Sequence, residues 1–159
     1  MTQLTYGALV KGIEGGLGDS GDSDIVTRRH ATLPVLFGRG VIRNAVEGEV
    51  ANPSATGFVF EGIAVATQIA KPNATGVAQY DAKTAIPVLR KGRIWVLAEQ
   101  AVNPSSAVFL RHTANAGTTA PGRFRADIDT AGADAITNAR WLTTTTAIDQ
   151  LALLEINMP

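Results

Sequence analysis

Cysteine is absent from the 159-residue chain, which removes disulfides, thiolate nucleophiles and cysteine-ligated zinc together. That absence fits assembly in a reducing cytoplasm. Net charge is missing too. Fourteen Lys and Arg balance fourteen Asp and Glu, so no overall field steers the chain toward nucleic acid or an anionic membrane. No apolar run approaches the ~18 residues of a membrane-spanning helix. "MTQLTYGALVKG" lacks a basic stretch followed by an apolar one, so no signal peptide is expected. Histidine is limited to His30 and His112, far apart and in neither an H-x-H nor an H-E-x-x-H pattern, which argues against a metal centre. No cofactor is expected. An amphipathic helix of normal length is also lacking.

What remains is a texture of short apolar runs. They read "LPVLF", "VIRNAV", "FVFEGIAVA", "IPVLRKGRIWVLAEQAV", "AVFLR", "RFRADI", "ARWL" and "LALLEI", broken by Gly, Pro and Asn. Runs of this length with turn signals between them predict an all-β sandwich or barrel. "RFRADI" alternates, with Phe124, Ala126 and Ile128 on one face and Arg123, Arg125 and Asp127 on the other, and reads as a strand with one wet side. "RIWVLA" is apolar on both faces and reads as an interior strand. Val50–Phe58 and Val102–Phe109 share an Asn-Pro-Ser, which is common turn chemistry rather than duplication.

Residues 1–31 differ. "GIEGGLGDSGDSD" is glycine and acid, with few large side chains to offset the entropy of ordering it. It is expected to be an N-terminal arm, with the β domain spanning 32–159. Two strings in it imitate enzyme motifs. Gly16-Leu17-Gly18-Asp19-Ser20-Gly21 fits G-x-G-x-x-G, but Asp19, Asp22 and Asp24 would repel a pyrophosphate and no helix pattern follows. Gly18-Asp19-Ser20-Gly21 matches the nucleophile tetrapeptide of chymotrypsin-like proteases, yet no histidine precedes Ser20 as that arrangement needs. The three aspartates miss the spacing of a calcium loop. No catalytic residue is expected.

Arg90-Lys91-Gly92-Arg93 lies between two apolar segments, and a glycine there suits a tight hairpin. A hairpin tip outweighs a nucleic-acid patch, since aromatic interleaving and net positive charge are both lacking. The same tip, with Arg28 and Arg29, could serve a protein interface. Trp95 and Trp141 sit inside apolar runs and are expected in the core.

"FEGIAVAT", "IPVLRKGRIWVLAEQAV", "GRFRADI", "NARWL" and "LALLEI", in that order and after "RRHATLPVLFGRGV", resemble the capsid cement (head decoration) proteins of tailed bacteriophages. The resemblance covers about residues 24–156. One departure is Asn103-Pro104-Ser105-Ser106, where the family often carries a Gly-Asp turn. The resemblance implies a small, jelly-roll-like β protein without catalysis, bound to the outer capsid surface of the virion across neighbouring major capsid subunits. The candidate capsid-interface residues are then Arg28, Arg29, Arg90, Lys91 and Arg93. Expected partners are the major capsid protein and a second copy of the chain, a homodimer before a trimer, with neither nucleic acid nor membrane. The alternative is a virion-displayed carbohydrate- or receptor-binding module, which exposed Trp or Tyr in a groove would favour.

Overall fold

The structure, a computed structural model, describes residues 12–19, 21–67, 76, 78–115 and 120–159. Among them are twelve strands and no helix, as an all-β chain requires. They are β1 (Asp24–His30), β2 (Val35–Leu36), β3 (Gly40–Arg43), β4 (Glu49–Ala51), β5 (Phe60–Ala64), β6 (Gln79–Tyr80), β7 (Ala85–Ala98), β8 (Phe109–Arg111), β9 (Phe124–Arg125), β10 (Ala133–Ala135), β11 (Ala139–Trp141) and β12 (Gln150–Asn157). Each of the eight apolar runs supplies one of these strands.

The sequence "AIPVLRKGRIWVLA" forms one strand of 14 residues, β7. The expected hairpin at Arg90–Arg93 is therefore absent. Gly92, at φ +128°, kinks the strand instead of reversing it, and a side chain there would meet Ser23 at 3.1 Å. A glycine inside a strand often marks such a close approach. Below the kink β7 pairs antiparallel with β1, from Ala85 to Lys91. Above it, Lys91 to Ala98 pair with β12. The two halves of a presumed hairpin thus find separate partners, and neither needs the other.

The lower half of β7 closes a five-stranded barrel, β1–β4–β3–β5–β7 and back to β1. Its core holds Val35, Val41, Val50, Ala64, Tyr80, Ile86 and Val88. The upper half contributes Ile94, Val96 and Ala98 to a second core with Leu110, Phe124, Trp141, Leu154 and Ile156, walled by β8–β12. Alternation decides which side chains point in: Ile86, Val88, Ile94, Val96 and Ala98 are buried, whereas Arg93 is exposed. The Asn103–Ser106 turn closes as its chemistry suggests, with Ser105 N–H donating to Asn103 Oδ1 at 2.8 Å.

Three further expectations change. β1 lies inside the segment read as an arm, yet it is a barrel strand, also paired in parallel with β4. Trp95 is half-buried on the outer face opposite Leu153, rather than in the core; Trp141 is 1% exposed and donates its indole N–H to Ala107 O at 3.1 Å. "RFRADI" does not keep one wet face, because Arg123 and Arg125 are buried and only Asp127 of that face is exposed, together with Ile128 from the other.

Emptying a fully buried aromatic site costs about 3–5 kcal/mol. Trp141→Ala should show that loss in urea unfolding, and Trp95→Ala less than about half of it. Equal losses would contradict the placement of the two indoles.

Candidate functional site

Residues 12–19 form a strap along the upper half of β7. Gly15 N–H donates to Trp95 O at 2.7 Å, Trp95 N–H to Gly16 O at 2.8 Å, and Gly18 N–H to Arg93 O at 2.7 Å. Ala66 N–H donates to Gly15 O at 2.8 Å, tying the strap to the end of β5 as well. Glycine is what permits this path. A Cβ on Gly12 would sit 2.3 Å from the Trp95 ring, one on Gly18 2.3 Å from Leu153, and one on Gly15 2.8 Å from both Phe37 and the Gly38 backbone. The glycine run read as a free arm is thus docked over residues 12–19. Residues 1–11 and Ser20, the decoy nucleophile, lie outside the described residues.

The acidic and basic runs, read separately in the sequence, pair with one another. Lys91 contacts Asp22, and Arg93 reaches Asp19 at 2.7 Å and Glu155 at 3.8 Å. Arg90 donates to the carbonyl of Pro159. At the other end of β1, Arg28 meets Glu61 at 2.7 Å and Arg29 meets Glu49 at 3.1 Å. All five candidate interface cations therefore have partners within the chain, and they do not converge on one cleft.

Two buried carboxylates organise the remaining charge. Glu61 is 2% exposed and receives Arg28 Nε at 2.9 Å and Arg43 Nε at 3.0 Å. Burial alone would raise its pKa, but hydrogen bonds from Arg28 and Arg43 overcome this and hold it below the ordinary value. Glu99 accepts from Arg111 Nε at 2.8 Å and Arg125 Nη1 at 3.0 Å, and both arginines also hold Asp129. Glu14 on the strap faces Arg39 at 3.5 Å. Burial pushes its pKa up against the pull of Arg39 and Arg123.

One cleft, about 450 Å³, is lined among the described residues by the 33–36, 52–54, 112–114 and 120–121 stretches, with Leu33, Pro34, Leu36, Pro53 and Pro121 in its walls. No Trp or Tyr lines it, so it lacks the stacking platform of a sugar site. His30 is fully buried, and His112 packs edge-on to Phe58 with Nδ1 2.9 Å from Thr113 Oγ1. No group of three or more metal-ligating side chains occurs among the described residues.

Residues 2–157 match the family model described as structural cement protein (E217 gp24/Pam3 gp6). The chain belongs to that family. It is a structural protein of the phage capsid, from a family that is not one of enzymes, and membership implies association with capsid proteins and a place in the virion. A chain in the capsid of Myoviridae phage XM1 is similar in fold, with a TM-score of 0.72 at 17% identity over 98% of each chain. The N base of head fibre gp8.5 of bacteriophage phi29 matches at a TM-score of 0.44 and 14% identity, over 86% of this chain and 95% of that one. No curated protein matches the sequence.

The functional residues missed in the sequence of this cement-family chain are the buried charges. Glu61, Glu99, Arg111 and Arg125 sit in apolar runs, but their partners are 12 to 33 residues away, and pattern does not reveal such pairs. Two acidic residues within strand-like apolar runs, "FEGIA" and "VLAEQ", are the one available signal.

Breaking a buried ion pair leaves its partner uncompensated, a cost reduced where that partner reaches water. Glu61→Gln should lower stability by about 2 kcal/mol at pH 7. Because the folded pKa of Glu61 is depressed, its contribution is complete above the ordinary carboxylate range and lost as pH falls through the folded value. The difference between wild type and variant in urea unfolding should therefore shrink as pH falls below the ordinary carboxylate range. A difference that grows in acid would contradict the assignment.

Proposed function

We propose that this chain is a decoration protein that binds the outer surface of the assembled phage head and clamps neighbouring major capsid subunits together. The observation that carries the reading is the family match across residues 2–157. The structure supports it physically: β7 runs unbroken from the barrel into the second core, and β5 also gives side chains to both, so the two parts form one packed body. Of the five candidate cations, Arg28, Arg29, Lys91 and Arg93 are paired with internal acids and Arg90 with a backbone carbonyl. Arg90, Lys91 and Arg93 beside the strap, and Arg28 and Arg29 toward the other end of β1, then act at the interface by shaping the surface, rather than as free charges seeking capsid carboxylates.

Binding the expanded shell and not its precursor stabilises the expanded state by mass action. Self-association, a dimer before a trimer, would make the second contact intramolecular and raise avidity. Carbohydrate or receptor recognition has less support, because Trp141 is buried and Trp95 lies against Gly12 of the strap.

The test adds purified protein to expanded heads that lack it. Co-sedimentation at saturating occupancy, with a higher temperature for shell disruption in calorimetry, is expected. Heads that neither bind the protein nor gain thermal resistance would overturn the proposal.

A further inference from the structure

The sheet made by the upper half of β7 with β12 and β11 is apolar on both faces, and only one of them is inside. Val96, Ala98, Ala152 and Leu154 point into the second core. Their neighbours along each strand point the other way. Leu97 lies opposite Leu151 on that outer face, and Trp95 opposite Leu153. Leu142 joins them, because its N–H donates to Leu153 O at 2.8 Å and so sets it across from Leu153. All five are half-buried, and neither core includes them. The charged rung of Arg93 and Glu155 bounds the face on the side of the kink. A contiguous apolar face of this kind marks a contact site.

The chain itself arrives on this face. Gly12, the first described residue, lies so close to the Trp95 ring that a Cβ on it would sit 2.3 Å away. Consecutive Cα atoms are about 3.8 Å apart, so Val10 is held within about 8 Å of Gly12. Residues 1–11 lie outside the described residues, but their sequence carries a pattern. In an extended "LTYGALV", Leu4, Tyr6, Ala8 and Val10 share one side, and Thr5, Gly7 and Leu9 the other. Residues 2–10 include no charged side chain, which suits a cover for an apolar surface. The family match begins at residue 2, so the family pattern runs through this segment. An extended stretch from 4 to 10 spans about 23 Å, well beyond the two-residue step from Trp95 to Leu97.

We propose that residues 4–10 lie extended across the outer β7–β12 face of their own chain, with the Leu4, Tyr6, Ala8 and Val10 side down on Trp95 and Leu97. The tether selects this occupant. A segment joined at Gly12 meets the face at an effective concentration in the millimolar range, ahead of a free second copy. The inference does not depend on the decoration reading. A face closed in this way is not open to a capsid subunit.

The experiment records nuclear Overhauser contacts in the full-length protein, with a mixed labelled and unlabelled sample to separate contacts within a chain from those between chains. Contacts from Leu4, Tyr6 or Ala8 to Leu97, Leu151 or Leu153 within one chain are expected. Acrylamide quenching gives the second readout, with Trp95→Phe identifying the signal of the buried Trp141. Trp95 should be shielded in the wild type. Losing two buried large side chains shifts a docking equilibrium by at least about a hundredfold, so Leu4→Ser/Tyr6→Ser should expose Trp95 to the quencher. Trp141 should stay shielded in that variant, which shows that the body remains folded. Contacts found only between chains would assign the face to a second copy and overturn the proposal. So would the absence of any such contact, or a wild-type Trp95 already quenched as a free indole is.

Discussion

Strand β7 is the constraint on which the rest of the molecule depends. One of its edges carries β1 and then β12; the other carries β5, the strap and, at Ala98, β9. Its side chains enter both cores. The hydrogen-bonding groups of an interior strand must be satisfied on both edges, and here five separate segments do so. Neither core is complete without it. Separating the barrel from the second core would require breaking a continuous strand.

Charge is distributed by the same logic. Much of the charge is paired locally: Asp19 and Asp22 meet Arg93 and Lys91 at the kink, Glu61 is shared by Arg28 and Arg43, and Glu99 with Asp129 holds Arg111 and Arg125. The buried pairs at Glu61 and Glu99 add little net stability, but removing one partner is costly, so they fix geometry. At Glu61 they fix how β1, β3 and β5 meet. At Glu99 they fix the path from β8 and β9 into the turn before β10.

The positions of the eight apolar strands, and the family itself, were legible because order and spacing of apolar runs survive without any knowledge of partners. β4, β6 and β10 were not, since two or three residues carry no measurable period. β1 was hidden because "DIVTRRH" is mostly exposed or half-buried along its length. "RKGR" misled for a definite reason: a glycine among cations between two apolar segments has the same local signature whether the chain reverses or only kinks. What separates the outcomes is that Asp24–Arg29 and Gln150–Asn157 lie alongside, which is non-local information. "RFRADI" misled likewise, because arginine on an alternating strand reads as solvent-facing until a buried Glu99 is placed beneath it. The glycine run before β1 looked too poor in side chains to dock, yet its contacts are made by backbone, which composition does not weigh.

Docking of the strap onto β7 is the claim that joins all of this, and native-state hydrogen exchange measures it most directly. The Trp95 amide is bonded to Gly16 O, and the Gly15 and Gly18 amides to β7 carbonyls, whereas Val96 lies in the β7–β12 ladder. If strap and body open together, Trp95, Gly15 and Gly18 should be protected to within about tenfold of Val96 in the free protein. Near-unprotected exchange at Trp95 and both glycines, with Val96 still slow, would contradict the account and make this segment a loose arm after all.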